Sequence, residues 1–288
     1  MRRVRLDHLL SERGVFPSRT RAAASVLAGE VLLGPERRRA AKPGQLVSDE
    51  VELAVLAAPA FVSRGGIKLS NALDGLGVVV RGRRALDVGA STGGFTDCLL
   101  KRGAEHVVAL DVAYGQLDWG LREDPRVTVL ERRNARSVEA EALPYAPDLV
   151  VIDVSFISLA KVLGAVLGCC APARFDVLAL VKPQFEVGRA AVGRGGVVRD
   201  TVARRGSLVA VGAAAQGLGA SVLGYAASGL PGPKGNRESF VWLGEGGRED
   251  AVAEGAQALW TAALAAEPDG GPVGGPVGGP EGAGVLGA

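Results

Sequence analysis

The chain has 288 residues, 48% hydrophobic and 22% charged, enough to bury one domain of about 200 residues beside a small companion, which excludes bulk disorder. Its 42 glycines keep no period of three over most of the chain, which excludes collagen, and no apolar stretch approaches the roughly 20 residues that cross a bilayer. The formal net charge is only +2, yet residues 1–45 carry ten Lys and Arg against Asp7, Glu12, Glu30 and Glu36, so a basic segment precedes an acidic remainder. That asymmetry is the expected footprint of phosphate-backbone binding. The start Met1-Arg2-Arg3-Val4-Arg5-Leu6-Asp7 lacks the apolar core of a signal peptide, and a cytoplasmic protein without membrane partners is expected. Three cysteines (Cys98, Cys169, Cys170) show no CxxC spacing and read as small buried hydrophobes. Two histidines, His8 and His106, are too few for a His-based metal site or a Ser-His-Asp triad, so no metal is expected.

In chain order, Leu6, Leu9, Leu10 and Arg13 follow a helical period that Gly14 stops. Ser18 is placed to cap a second helix from Arg19 to Leu27, closed by Gly29. Val31-Leu32-Leu33 and Val51–Val55, with a turn at Gly34-Pro35, supply a small sheet. The segments Arg5–Leu10, Ser18–Ala23 and Gly29-Glu30-Val31 together resemble the S4 RNA-binding domain. That resemblance implies phosphate contacts from Arg3, Arg5, Ser18, Arg19 and Arg21. The chain departs from the family at Gly34–Arg39, where a short Asn-Gly or Asp-Gly turn is usual.

From Arg83 onward buried strands alternate with helices, the pattern of a parallel sheet covered on both faces. The strands are 85–89, 107–111, 127–130, 148–153 and 177–182, giving an α/β, doubly wound, Rossmann-like domain. Ligands in such sheets bind beyond the carboxyl ends of the strands. There the chain offers Asp87, the turn Gly89-Ala90-Ser91-Thr92-Gly93-Gly94-Phe95, Asp111 and Asp153. Glycines let the backbone approach a ligand, and a carboxylate after the second strand can accept from both hydroxyls of a ribose. Ser91 interrupts the G-x-G-x-x-G of a dinucleotide site, so a ligand with a ribose and an amino acid but no pyrophosphate fits better, and S-adenosyl-L-methionine is such a ligand. A second glycine-rich segment, Gly188–Gly196, has P-loop spacing but Arg194-Gly195 in place of Lys and Ser/Thr. It reads as a mobile loop over the site, with Arg189 and Arg194 facing RNA phosphates.

Four further pieces are Phe61-Val62-Ser63-Arg64-Gly65-Gly66-Ile67-Lys68-Leu69, Asp153-Val154-Ser155-Phe156-Ile157-Ser158-Leu159, Lys182-Pro183-Gln184-Phe185-Glu186 and Gly235-Asn236-Arg237-Glu238-Ser239-Phe240. With these, residues 3–244 resemble the TlyA family of ribosomal RNA ribose 2'-O-methyltransferases, whose catalytic lobe is of the FtsJ type. The resemblance implies a Lys-Asp-Lys-Glu tetrad at Lys68, Asp153, Lys182 and Glu238. It implies S-adenosyl-L-methionine held by Asp87, Gly89, Ser91, Thr92, Gly93, Gly94, Phe95, Asp111, Val112, Asn134 and Asp153, with Asn134 near the adenine. It further implies ribosomal RNA or ribosomal subunits as partner, with Arg64 added to the RNA contacts.

A ribose hydroxyl is a weak nucleophile at neutral pH, so its proton must leave as the oxygen attacks the methyl in line. Lys182 is the expected base, with Lys68 as a neighbouring cation, Asp153 orienting Lys182 beside the sulfonium, and Glu238 positioning either Lys68 or the ribose. The expected divisions are an S4-like domain at 1–57, a linker at 58–66, the methyltransferase domain at 67–247, and a C-terminal extension at 248–288 with a disordered Gly/Pro-rich tail. Two other readings are a non-catalytic RNA-binding protein, opposed by the intact tetrad, and a membrane-damaging haemolysin, a name that relatives carry. The latter is opposed by the lack of a signal peptide, a long apolar span or a strongly amphipathic basic helix.

Overall fold

The computed structural model describes residues 2–27, 29–56, 60–188, 191–232 and 234–267, and the chain divides into two compact units between Ala60 and Phe61. In the first unit β1 (Arg3–Arg5) runs into α1 (Leu6–Glu12), whose period buries Leu6, Leu9 and Leu10. Gly14, at φ 69°, turns the chain out of the helix. Ser18 Oγ accepts from the Arg21 N–H at 3.2 Å, capping α2 (Arg19–Leu27). Ala22 and Val26 of α2 pack with the α1 leucines and Val31. The expected small sheet is instead two. β2 (Val31–Leu33) pairs antiparallel with both β3 (Arg38–Arg39) and β5 (Leu53–Val55), while β4 (Leu46–Ser48) pairs with β1. Strands of two or three residues are too short to show a period, which is why β1, β3 and β4 escape sequence reading.

The second unit opens with α3 (Arg64–Leu76), preceded by Ser63 at the N-cap and ended by Gly77 at φ 69°. Its helical turns therefore begin inside the stretch expected to be linker. There follow β6 (Arg84–Val88), α4 (Gly94–Lys101), β7 (His106–Leu110), α5 (Trp119–Arg122), β8 (Val127–Leu130), β9 (Leu149–Ile152), α6 (Leu163–Leu167), β10 (Asp176–Val181), α7 (Pro183–Glu186), α8 (Thr201–Gly217), β11 (Ser221–Ala227), β12 (Ser239–Gly244) and α9 (Ala256–Ala263). The sheet order is β11-β12-β10-β9-β6-β7-β8.

The five expected strands are all parallel neighbours, but the sheet has seven strands and is mixed, because β12 runs antiparallel to both β10 and β11. This corrects the all-parallel expectation. The reversal has a functional consequence: Ser239 pairs with Val181, so the start of β12 lies at the edge where β10 ends. Alternation along each strand separates two cores. Leu86, Val88, Val150, Ile152, Val177 and Ala179 face α6, α8 and α9, whereas Ala85, Leu149, Val151, Leu178, Leu180 and Phe240 face α3 and α4.

Leu259, Ala263 and Ala266 are buried in the first of these cores, so residues 248–267 complete the larger unit rather than extending from it. Glu267 seals the join, pairing with Arg204 at 3.1 Å and accepting from Arg205 through its main-chain oxygen. The Gly/Pro-rich tail lies outside the described residues, as do Ala57, Ala58 and Pro59 of the expected linker. Among the described residues no helix is long and apolar enough to cross a membrane.

Candidate active site

The ends of β6, β9 and β10, the first turns of α3 and α4, and the segment before β12 enclose a cleft of about 730 Å³. One wall is the turn after β6. Gly89 takes φ 86°, and a Cβ there would stand 2.5 Å from the Asp153 carbonyl oxygen, so the backbone stays bare for steric reasons. Gly93 takes φ 95°, and a Cβ on it would strike Leu121. Across the turn, a Cβ on Gly94 would collide with Ser63 Oγ, and one on Gly66 would lie 2.8 Å from the Gly94 carbonyl oxygen. The starts of α3 and α4 therefore meet backbone to backbone.

Gly89, Ser91, Thr92, Gly94, Phe95 and Asp153 line the cleft. Phe95 is also a core residue, its ring 5.9 Å from that of Phe240. Asp87 lies beneath the turn, fully buried, with Oδ2 accepting from Thr96 Oγ1 at 2.6 Å and Oδ1 unpartnered. Burial, helped by the nearby carboxylates of Asp153 and Asp111 and opposed by the Thr96 hydrogen bond, pushes its carboxyl up to about 7. Asp111 braces the turn from outside the cleft wall, accepting from the Ser91 N–H at 2.8 Å and the Ala113 N–H at 2.7 Å. Each of its oxygens keeps a further lone pair for a ribose hydroxyl. Val112 is exposed, and Asn134 spends its side-chain oxygen on the Arg136 N–H of its own turn. Neither lines the cleft.

The four expected tetrad residues all line it and form two ion pairs. Lys68, buried on α3, has Nζ 2.5 Å from Glu238 Oε2, itself buried just before β12. Lys182, following β10, has Nζ 2.5 Å from Asp153 Oδ1, following β9. The ammonium reaches that oxygen outside hydrogen-bonding angles and donates to Ser155 Oγ at 2.8 Å. Of the two roles expected for Glu238, holding Lys68 is the one made here. Gly232 leaves the room, since a Cβ on it would overlap the Glu238 carboxylate.

Sequence reading missed three supporting residues. Ser155 partners Lys182. Asn236, 2% exposed, donates from Nδ2 to the Gly196 carbonyl at 2.7 Å and accepts at Oδ1 from the Val198 N–H at 2.9 Å. It thereby ties Gly196 and Val198 to the segment before β12 that carries Glu238. Phe156 stands on the cleft rim at φ 65° and 91% exposed, its ring 5.3 Å from that of Phe185. Ser155, Phe156 and Asn236 lie in the motifs that carry the tetrad, and that adjacency was their only sequence signal.

Of the expected RNA-contacting residues, Arg64 lies on the cleft rim and donates to the Pro231 carbonyl at 2.9 Å. Arg3, Arg5, Ser18, Arg19 and Arg21 are exposed on the first unit. Arg5 and Arg19 share Asp7, at 2.9 and 3.2 Å. Arg189 lies outside the described residues.

The FtsJ-like methyltransferase family matches residues 61–245. The chain is 54% identical over 244 residues to the 16S/23S rRNA (cytidine-2'-O)-methyltransferase TlyA of Mycobacterium tuberculosis, covering 84% of this chain and 90% of that protein. The chain belongs to the TlyA group of FtsJ-like methyltransferases. Two solved structures that carry the hemolysin name share this TlyA-type fold. One, from Streptococcus thermophilus, is 37% identical with a TM-score of 0.68, covering 92% of this chain and 95% of that one. The other, from Lactococcus lactis, is 40% identical with a TM-score of 0.65, covering 71% and 98%. The cofactor of this FtsJ-type enzyme is S-adenosyl-L-methionine, and the residues present fit it: a bare glycine turn for close approach, Asp153 in the cleft lining, and the Asp111 carboxylate beside that turn.

Proposed function

We propose that this TlyA-type methyltransferase modifies ribose 2'-hydroxyls of ribosomal RNA, presented in 16S or 23S RNA or in assembled subunits. The observation that carries the reading is the pair of lysine–carboxylate contacts lining one cleft with the glycine turn. Bound S-adenosyl-L-methionine supplies an electrophilic methyl on its sulfonium. Lys182, once deprotonated, takes the 2'-hydroxyl proton as the oxygen forms its new bond to carbon and the carbon–sulfur bond breaks. Asp153 and Ser155 fix Nζ of Lys182 from two sides, so its lone pair has one free direction, toward the cleft. Lys68, held by Glu238, stands as a fixed cation for the oxygen that gains negative charge.

The first unit, residues 1–57 in this reading, is an S4-type RNA-binding domain whose Arg3, Arg5, Arg19 and Arg21 meet phosphates, with Ser18 shaping the turn before α2. In the larger unit, Arg64 on the cleft rim is a further RNA contact in this reading. The cofactor lies along Gly89–Phe95 with its ribose at Asp111. The test is transfer of labelled methyl from S-adenosyl-L-methionine to purified 30S and 50S subunits and to naked RNA, by the wild type and by Lys182→Ala. Label on a ribose with wild type alone is expected, and the labelled particle identifies the subunit. Label on a base, or none on any of these substrates, overturns the reading.

A further inference from the structure

Four cationic side chains line the cleft among the described residues, and two of them are paired with carboxylates while a third has one donor committed to a carbonyl. Lys68 is held by Glu238, Lys182 by Asp153, and Arg64 by the Pro231 carbonyl. The fourth is Lys234. It is exposed, and among the described residues its ammonium group makes no hydrogen bond or ion pair. It stands opposite Gly196, where a Cβ would come within 3.9 Å of Nζ.

The backbone around Lys234 is held from several directions. The Gly232 N–H donates to the Asn236 carbonyl at 2.8 Å, and the Gly235 N–H to the Gly232 carbonyl at 2.9 Å. Buried Asn236 fastens one end of this turn to Gly196 and Val198, and Arg64 fastens the other at Pro231. A lysine rooted on a turn held in this way swings its free charge over the cleft from a fixed Cα. Lys234 shares the segment before β12 with Glu238, and both line the cleft that Lys68 enters from α3.

A 2'-hydroxyl in RNA always has a 3'-phosphodiester on the adjacent ribose carbon. A ribose that reaches the tetrad therefore brings a full negative charge with it. Within the tetrad, two ammonium groups face two carboxylates, so the tetrad has no net charge to offer that phosphate. We infer that Lys234 binds the RNA backbone phosphate next to the methylated ribose, and so positions the substrate strand without taking part in proton transfer. This rests on the ribose-methylation reading above.

The test uses the full-length enzyme with the RNA substrate that the wild type labels, comparing wild type, Lys234→Gln and Lys234→Arg. Loss of one charge-assisted contact is expected to raise KM for RNA about tenfold while kcat changes less than about twofold. The slope of log KM against log salt should fall by about 0.7, the single-strand value for one phosphate. Lys234→Arg should restore both KM and slope, and cofactor affinity measured by calorimetry should not move. Unchanged KM and salt slope in Lys234→Gln overturn the inference. So does a loss confined to cofactor affinity, which would assign Lys234 to the carboxylate of S-adenosyl-L-methionine. Failure of the wild type itself to label ribose would instead remove the underlying function, so the two failures are told apart.

Discussion

Glu238 Oε2 lies 2.5 Å from Lys68 Nζ, with both side chains almost wholly buried, and this contact joins the first turns of α3 to the antiparallel strand β12. Removing one partner of such a pair strands the other charge in a low-dielectric site. Glu238→Ala should therefore destabilise the enzyme by about 3 to 5 kcal/mol and abolish methyl transfer. Lys68→Met combined with Glu238→Leu should recover most of that stability and none of the activity. Urea unfolding beside a methyl-transfer assay checks both; an active double variant would remove the pair from the mechanism.

Asp87 predicts a pH dependence with a definite sign. Its folded carboxyl is raised, chiefly by burial, to about 7 from an ordinary value of 3.8. Between those values the unfolded chain gives up a proton that the folded one retains. Its contribution to stability is therefore complete below about pH 4 and is lost as pH rises through 7. Asp87→Asn keeps the Thr96 partner and cannot ionise. Relative to that variant, the wild type should lose stability between about pH 4 and pH 7, as measured by urea midpoints; parallel profiles would contradict the raised carboxyl.

Asp7 carries the opposite sign. The hydrogen bond from Arg5 is the largest influence and Arg19 adds to it, and together they hold the carboxyl at about 2 against its burial. Its stabilisation is present above about pH 4 and lost as pH falls through 2. Asp7→Asn should thus unfold at lower urea than the wild type at pH 7, with the gap closing toward about pH 3. A gap that persists at low pH would mean packing, not charge, is the source.

Phe156 combines a left-handed backbone with almost complete exposure. A non-glycine residue there costs about 1 to 2 kcal/mol, and the ring beside Phe185 buries little to offset it. An exposed ring on the cleft rim suits stacking with an unpaired base. Phe156→Gly should therefore raise thermal stability and, at the same time, raise KM for RNA. A variant that is more stable and equally active would leave the strained ring without a role.

Five of the seven strands of the larger unit's sheet were legible because each is a short, mainly apolar run bounded by small or polar residues. The turn Gly89–Phe95 and the four tetrad residues were legible from their motifs. What the sequence could not show was pairing across long separations. Nothing local says that Glu238 takes Lys68 rather than a ribose, or that Asn236 ties Gly196 to Glu238. Strands β11 and β12 went unread as sheet members: Gly224 interrupts the first, and the apolar run Phe240–Leu243 of the second follows directly on the Glu238 motif, with nothing local to show that it pairs antiparallel. Asn134 misled because Asn after a strand serves its own turn as readily as a ligand.

The Lys68–Glu238 contact spans 170 positions of the chain, and that distance becomes time during synthesis. At about 5–20 residues per second, Lys68 leaves the polymerising centre on the order of ten to thirty seconds before its carboxylate exists. The buried face of α3 cannot close over that ammonium without cost in the interval. The nascent enzyme therefore completes its active site only when β12 inserts between β10 and β11. An arrest peptide that releases when the chain docks, placed at successive lengths after residue 244, would time that insertion.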